Sequence, residues 1–128
     1  MRLLLDTHAF LWWVADDASL TATARAAISD PANECLVSAA SAWEIAIKAS
    51  IGKVALPSDP RRFLPEQMAA NGFDPLPVSV THAARVAGLP FHHRDPFDRL
   101  LAAQALEERI PIVSADRVFG KYGVKRLW

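Results

Sequence analysis

Four acidic residues stand where isolated surface charges are not expected. Asp6 directly follows the apolar run Leu3-Leu4-Leu5, Glu44 closes Ser41-Ala42-Trp43-Glu44, Asp98 sits within His93-Arg94-Asp95-Pro96-Phe97-Asp98-Arg99, and Asp116 follows Val113-Ser114-Ala115. A carboxylate at the end of a buried apolar run is costly without a partner. The other three each have a local explanation: Asp95 and Asp98 complement a helix N-terminus, Glu44 completes a capping box with Ser41, and Asp116 shapes a turn. Chemistry follows only if the chain gathers all four. Crowded carboxylates repel one another and protonate or splay apart unless a cation neutralises them. A set of oxygen donors with neither Cys nor His suits Mg²⁺ or Mn²⁺ rather than zinc.

Whether they gather depends on the elements that carry them. Leu3 to Leu5 reads as a buried strand, followed by a helix-like run from Ala9 to Val14, an alanine-rich helix from Thr21 to Ser29, and a second strand at Cys35 to Ser38. Ser41 with Glu44 predicts a capping box opening a helix to Gly52. The proline-rich segment from Leu56 to Pro65 predicts a loop or short helix, since Pro65 is unfavourable mid-helix, then a helix to about Ala70 stopped by Asn71-Gly72. Leu76 to Val78 is a weaker strand, Ser79 to Ala87 a helix, and Asp95-Pro96 opens a helix to Glu108 with aspartate as N-cap and proline first. Ile110 to Ser114 and Val124 to Trp128 complete the strands.

Continuously apolar strands separated by helices predict a three-layer α/β/α fold, one domain with a central, mostly parallel sheet of four to five strands. Asp6, Glu44 and Asp116 then belong at the carboxyl edge of the sheet. The helix holding Asp98 leads into a strand, so its N-terminus returns to that edge, where open α/β sheets bind ligands.

Composition narrows the class without naming it. The 128 residues carry 14 basic and 14 acidic side chains, so no global basic excess advertises a polyanion partner. No apolar run is long enough for a membrane span, and a soluble cytoplasmic protein is the expectation. The single cysteine, Cys35, reads as core packing. His8, His82, His92 and His93 show no metal-ligand spacing. Trp12 and Trp13 cannot share one helix face, which leaves one available to a partner, and Trp43 is expected in the core.

Leu-Leu-Leu-Asp6-Thr7-His8, Ser41-Ala-Trp-Glu44-Ile, His93-Arg94-Asp95-Pro96-Phe97-Asp98-Arg99 followed by Leu101-Ala-Ala-Gln104-Ala, and Val113-Ser114-Ala-Asp116 occur in this order over essentially the whole chain. Together they resemble the PIN-domain family, and more narrowly the VapC toxins of bacterial type II toxin-antitoxin pairs. The resemblance implies a magnesium-dependent endoribonuclease that hydrolyses RNA phosphodiesters, commonly dimeric and blocked by a VapB-like antitoxin. It places the acidic quartet on Asp6, Glu44, Asp98 and Asp116. For hydrolysis by metal-activated water, Asp6, Asp98 and Asp116 are the expected direct ligands, and Glu44 a ligand through water or a helper that orients the nucleophile. Thr7 and Ser114 are candidates to hydrogen-bond the carboxylates or bound water. Arg94 and Arg99 are candidates to hold phosphates, with a carboxylate pairing equally open for Arg99.

Two other classes fit the size and the clustered acids. A phosphoacceptor receiver domain would need an acidic pair after the first strand and a lysine after the late one, where Ser114-Ala115-Asp116 stands instead. An aspartate-nucleophile phosphatase would need a second aspartate where His8 stands. A non-catalytic binding module is the remaining alternative.

Overall fold

A computed structural model describes residues 1–128. Its sheet has five strands, all parallel, in the order β3-β2-β1-β4-β5: β1 Arg2–Leu5, β2 Glu34–Ser38, β3 Asp74–Leu76, β4 Ile112–Val113 and β5 Arg126–Leu127. Leu4 and Leu5 of the central β1 align with Leu36 and Val37 on one side and with Ile112 and Val113 on the other. Side chains alternate across a strand, so β1 feeds two cores. Leu3 and Leu5 join Cys35, Val37, Phe10, Ile45, Phe63 and Phe73 on one face, while Leu4 joins Leu36, Ile112, Leu101, Ala102 and Phe119 on the other.

The first face is covered by α1 (Thr7–Val14), α2 (Ala22–Ser29), α3 (Ala39–Ser50) and α4 (Pro60–Asn71). The second is covered by α6 (Pro96–Glu108), against which α5 (Val80–Arg85) packs. This is the expected three-layer arrangement. Helix α6 begins as the sequence predicts, with Asp95 accepting from the Phe97 amide and Pro96 in the first turn. Gly72, at φ 67°, ends α4 in the left-handed conformation that glycine adopts most readily. Cys35 is buried, and burial pushes its thiol up to about 11, which leaves it an inert packing group.

Several local expectations give way. Helix α3 is capped three residues before Ser41, by Ser38, whose hydroxyl accepts from the Ala40 amide. Ser41 is thereby turned inward inside the helix. Helix α4 starts at Pro60, capped by Asp59, and runs through Pro65. Arg61, whose carbonyl loses a donor to that proline, is exposed and can be served by solvent. Strand β3 lies two residues earlier than predicted. Trp43 is 62% exposed rather than in the core, because α3 directs Ser41, Glu44 and Ile45 inward and leaves Trp43 on its flank, edge-on to Phe97 at 5.3 Å. Trp12 and Trp13 are both half-buried, Trp12 beside Trp128 and Trp13 donating to Asn71 Oδ1 at 2.9 Å. No helix is long and apolar enough to cross a membrane.

Candidate active site

Three of the four acids are fixed by helix and turn starts at the carboxyl edge of the sheet. Asp6, the residue after β1, is the N-cap of α1, and its Oδ1 accepts from the Ala9 amide at 3.1 Å. Asp116, beyond β4, caps the short 3-10 turn Arg117–Tyr122, its Oδ1 accepting from the Val118 amide at 2.9 Å. Asp98 occupies the first turn of α6. Glu44 is in the second turn of α3, only 5% exposed. Unpaired N–H groups at a helix start favour negative charge.

Ser114 links two of the acids. Its hydroxyl donates to Asp6 Oδ2 while its oxygen accepts from the Asp116 amide at 3.0 Å. Thr7 does not reach a carboxylate; its Oγ1 donates to Ser41 Oγ at 2.9 Å, joining the starts of α1 and α3. Glu44 accepts from Lys48 Nζ at 2.6 Å. That hydrogen bond, and the negative charges of Glu44, Asp95 and Asp98, raise the Lys48 pKa.

Asp98 is the electrostatic focus. Burial, and then the charges of Asp95, Glu44 and Asp6, push its carboxyl up to about 6 against the pull of His93, and no hydrogen bond contributes to holding it ionised. Burial also opposes ionisation of Asp116, yet the His93 hydrogen bond, the Val118 amide and the nearby Arg126 hold its carboxyl below the ordinary value. Asp98 therefore lies in the fields of Glu44 and Asp6 and close to Asp116.

Sequence reasoning missed His93. Its Nε2 is 2.7 Å from Asp116 Oδ2, and possible ligand atoms of His93, Asp98 and Asp116 all lie within 4.8 Å of one another. The signal was its place in the same string as Asp98, five residues earlier, rather than any His–His spacing. Lys48, one helical turn after Glu44, carries no motif that marks it in the sequence.

The two arginines part company. Arg94 is exposed beside the acidic helix start. Arg99 is buried, 6% exposed: its guanidinium donates to the carbonyls of Pro90, Val86 and Leu89 at 2.9 to 3.2 Å and lies 4.2 Å from the centre of the Phe91 ring. The first turn of α6 directs Asp98 to the cluster and the next residue into the protein, so Arg99 is spent on closing the chain between α5 and α6.

Asp98 and Asp116 offer carboxylate oxygens close enough for one ion to span, and Asp98, raised by burial and then by neighbouring acids, lacks a compensating positive charge; these oxygen donors fit a hard divalent cation.

The PIN domain family model matches residues 3–125 of the chain. The ribonuclease VapC22 of Mycobacterium tuberculosis is 33% identical over 116 residues, which is 90% of this chain and 87% of the relative. The ribonuclease VapC16 of the same organism is 43% identical over 68 residues, so that match spans about half of each protein, 52% and 48%. Among solved structures, VapBC2 from Rickettsia felis, bound to a DNA fragment from its promoter, superposes with a TM-score of 0.70 at 12% identity, covering 98% of this chain and 97% of that one. DNA-bound VapBC from Salmonella typhimurium gives 0.68 at 16% identity, covering 98% and 96%. At such identities the superpositions establish the fold alone, while the match along nearly the full length establishes descent: the chain belongs to the PIN-domain family.

Proposed function

We propose that this protein is a divalent-metal-dependent endoribonuclease of the VapC type, held in check by a VapB-like antitoxin. The observation that carries the reading is the convergence of Asp6, Glu44, Asp98 and Asp116 at the carboxyl edge of the sheet, with Asp98 pushed up to about 6 by burial and then by its acidic neighbours. The ribonuclease names of the VapC relatives and the toxin-antitoxin complexes among the structural neighbours support it.

Asp6, Asp98 and Asp116 would hold Mg²⁺ or Mn²⁺, which supplies charge neutralisation at the scissile phosphate and a more acidic water. Ser114 fixes the Asp6 carboxylate from one side and the Asp116 backbone from the other. Glu44, buried and anchored by Lys48, would orient the attacking water and accept its proton. Arg94, free at the rim, supplies charge for the phosphates flanking the scissile bond. The antitoxin, and a homodimer, belong to the same reading.

The test is cleavage of a mixed RNA by purified, antitoxin-free protein with Mn²⁺ or Mg²⁺ and with EDTA, beside a folded Asp6→Asn variant. Cleavage that requires the ion and is lost in the variant is expected. Undiminished cleavage in EDTA would defeat the metal site, and no cleavage of any RNA by folded, metal-loaded protein would defeat the nuclease reading.

A further inference from the structure

His93 is held on three sides although no local backbone structure requires it. Its side chain is 9% exposed, and its ring lies nearly parallel to that of Tyr122, at 16° and 5.5 Å, with Phe119 at 5.0 Å. The His93 amide, which can only donate, gives its hydrogen to the Tyr122 hydroxyl oxygen at 2.9 Å. The same oxygen lies 2.9 Å from Nδ1.

At the other end of the ring, Nε2 faces Asp116 Oδ2 at 2.7 Å. A bare Nε2 would set its lone pair against a carboxylate oxygen at that distance. Two arrangements avoid this: a neutral ring with the Tyr122 O–H donating to Nδ1, or an imidazolium with both nitrogens donating. Nε2 carries hydrogen in both, and a nitrogen carrying hydrogen has no lone pair to offer a cation.

We propose that His93 is a positioning residue rather than a metal ligand: braced by Tyr122, its Nε2–H fixes the Asp116 carboxylate in the acidic cluster. The Val118 amide takes Oδ1 and His93 takes Oδ2, so each oxygen has one donor and keeps a lone pair. Free rotation of Asp116 is thereby removed before an ion arrives. The inference rests on the divalent site proposed above.

Calorimetric titration of the metal-free full chain with Mn²⁺ tests it, for wild type, His93→Leu, His93→Gln and Tyr122→Phe. Loss of a donor behind a ligand costs about ten- to hundredfold in metal affinity. His93→Leu is expected to fall in that range, His93→Gln to recover most of the loss because its amide N–H reaches a similar point, and Tyr122→Phe to weaken binding severalfold. Spin-echo spectra of the Mn²⁺ complex are expected to show no directly bonded nitrogen, and ¹⁵N spectra a protonated Nε2. A directly bonded ¹⁴N signal that disappears in His93→Gln would make His93 a ligand and overturn the proposal, as would unchanged Mn²⁺ affinity in His93→Leu. If that variant does not fold, Tyr122→Phe decides alone: unchanged affinity overturns the brace. Wild type that binds no Mn²⁺ overturns it together with the metal site. Protein that gives the expected titrations but cleaves no RNA would defeat the nuclease reading and leave the brace standing; protein that cleaves RNA but whose His93→Leu affinity is unchanged would do the reverse.

Discussion

The Ser114 hydroxyl donates to Asp6 Oδ2 across 108 residues of sequence, tying the end of the first strand to the end of the fourth. It also receives the Asp116 amide, so one fully buried oxygen sets the spacing of two site carboxylates. Ser114→Ala leaves both partners without it. The expected cost is about 1–3 kcal/mol, the penalty for stranding buried polar groups. Urea unfolding in EDTA measures it, and a Mn²⁺ titration of the same variant should show weaker binding.

Asp98 gives the metal-free protein an unusual pH response. Its folded-state value of about 6 lies above the ordinary 3.8, so the protonated form is the one the fold prefers. Its contribution to stability is fully present below about pH 4 and is lost as pH rises through about 6. In EDTA, Asp98→Asn should therefore unfold at a higher temperature than wild type at neutral pH, with the gap closing towards pH 4. Mn²⁺ should reverse the order at neutral pH. Wild type should also release a proton on binding Mn²⁺ at pH 5 and almost none at pH 8, which calorimetry in buffers of different ionisation enthalpy detects. A gap unchanged between pH 4 and 7 would refute the assignment.

Lys48 is a tethered cation at an anionic site, its Nζ 2.6 Å from Glu44 Oε2. Lys48→Met removes the competitor and should tighten divalent binding severalfold while lowering thermal stability in EDTA, because Glu44 stays buried with its charge unanswered. Added Mn²⁺ should restore much of the lost stability. Weaker Mn²⁺ binding in the variant would show that Lys48 organises the site instead of occupying it.

Arg94 and Arg99 should separate cleanly in RNA binding. Arg94→Ala is expected to reduce the slope of log affinity against log salt by about 1 with little change in stability. Arg99→Met strips donors from three carbonyls and is expected to cost about 2–4 kcal/mol of stability, since hydrogen bonds to a charged group are the stronger kind. Salt-dependent binding and urea melts distinguish the two effects.

The fold was legible where one rule acted alone. Leu3 to Leu5 could only be buried, and Asp95-Pro96 could only start a helix, so the sheet edge and the place of Asp98 followed. Reading failed where two signals competed. Ser38 and Ser41 are both acceptable caps, and the three-dimensional need for Ser41 to meet Thr7 chose the earlier one. Pro65 breaks a rule that holds for buried carbonyls and relaxes for exposed ones. Glu44 was singled out as the far end of a capping box it does not form, yet its position in the cluster survived the error. His93 was missed because its partners, Tyr122 and Asp116, lie 29 and 23 residues away, beyond any local spacing rule. Arg99 was misassigned because charge alone does not reveal which way a helix turns.

The capping roles of Asp6 and Asp116 carry a consequence for how such a protein can evolve. Each side chain starts a helix or turn with one oxygen and faces the acidic cluster with the other. An allele silenced at either position would also fray the segment it caps, and would reach lower abundance in the cell as its unfolded fraction met proteases. A silent allele that keeps its full cellular level, and so still titrates a partner, is more readily reached through Asp98, whose carboxylate caps nothing and whose charge the metal-free fold resists.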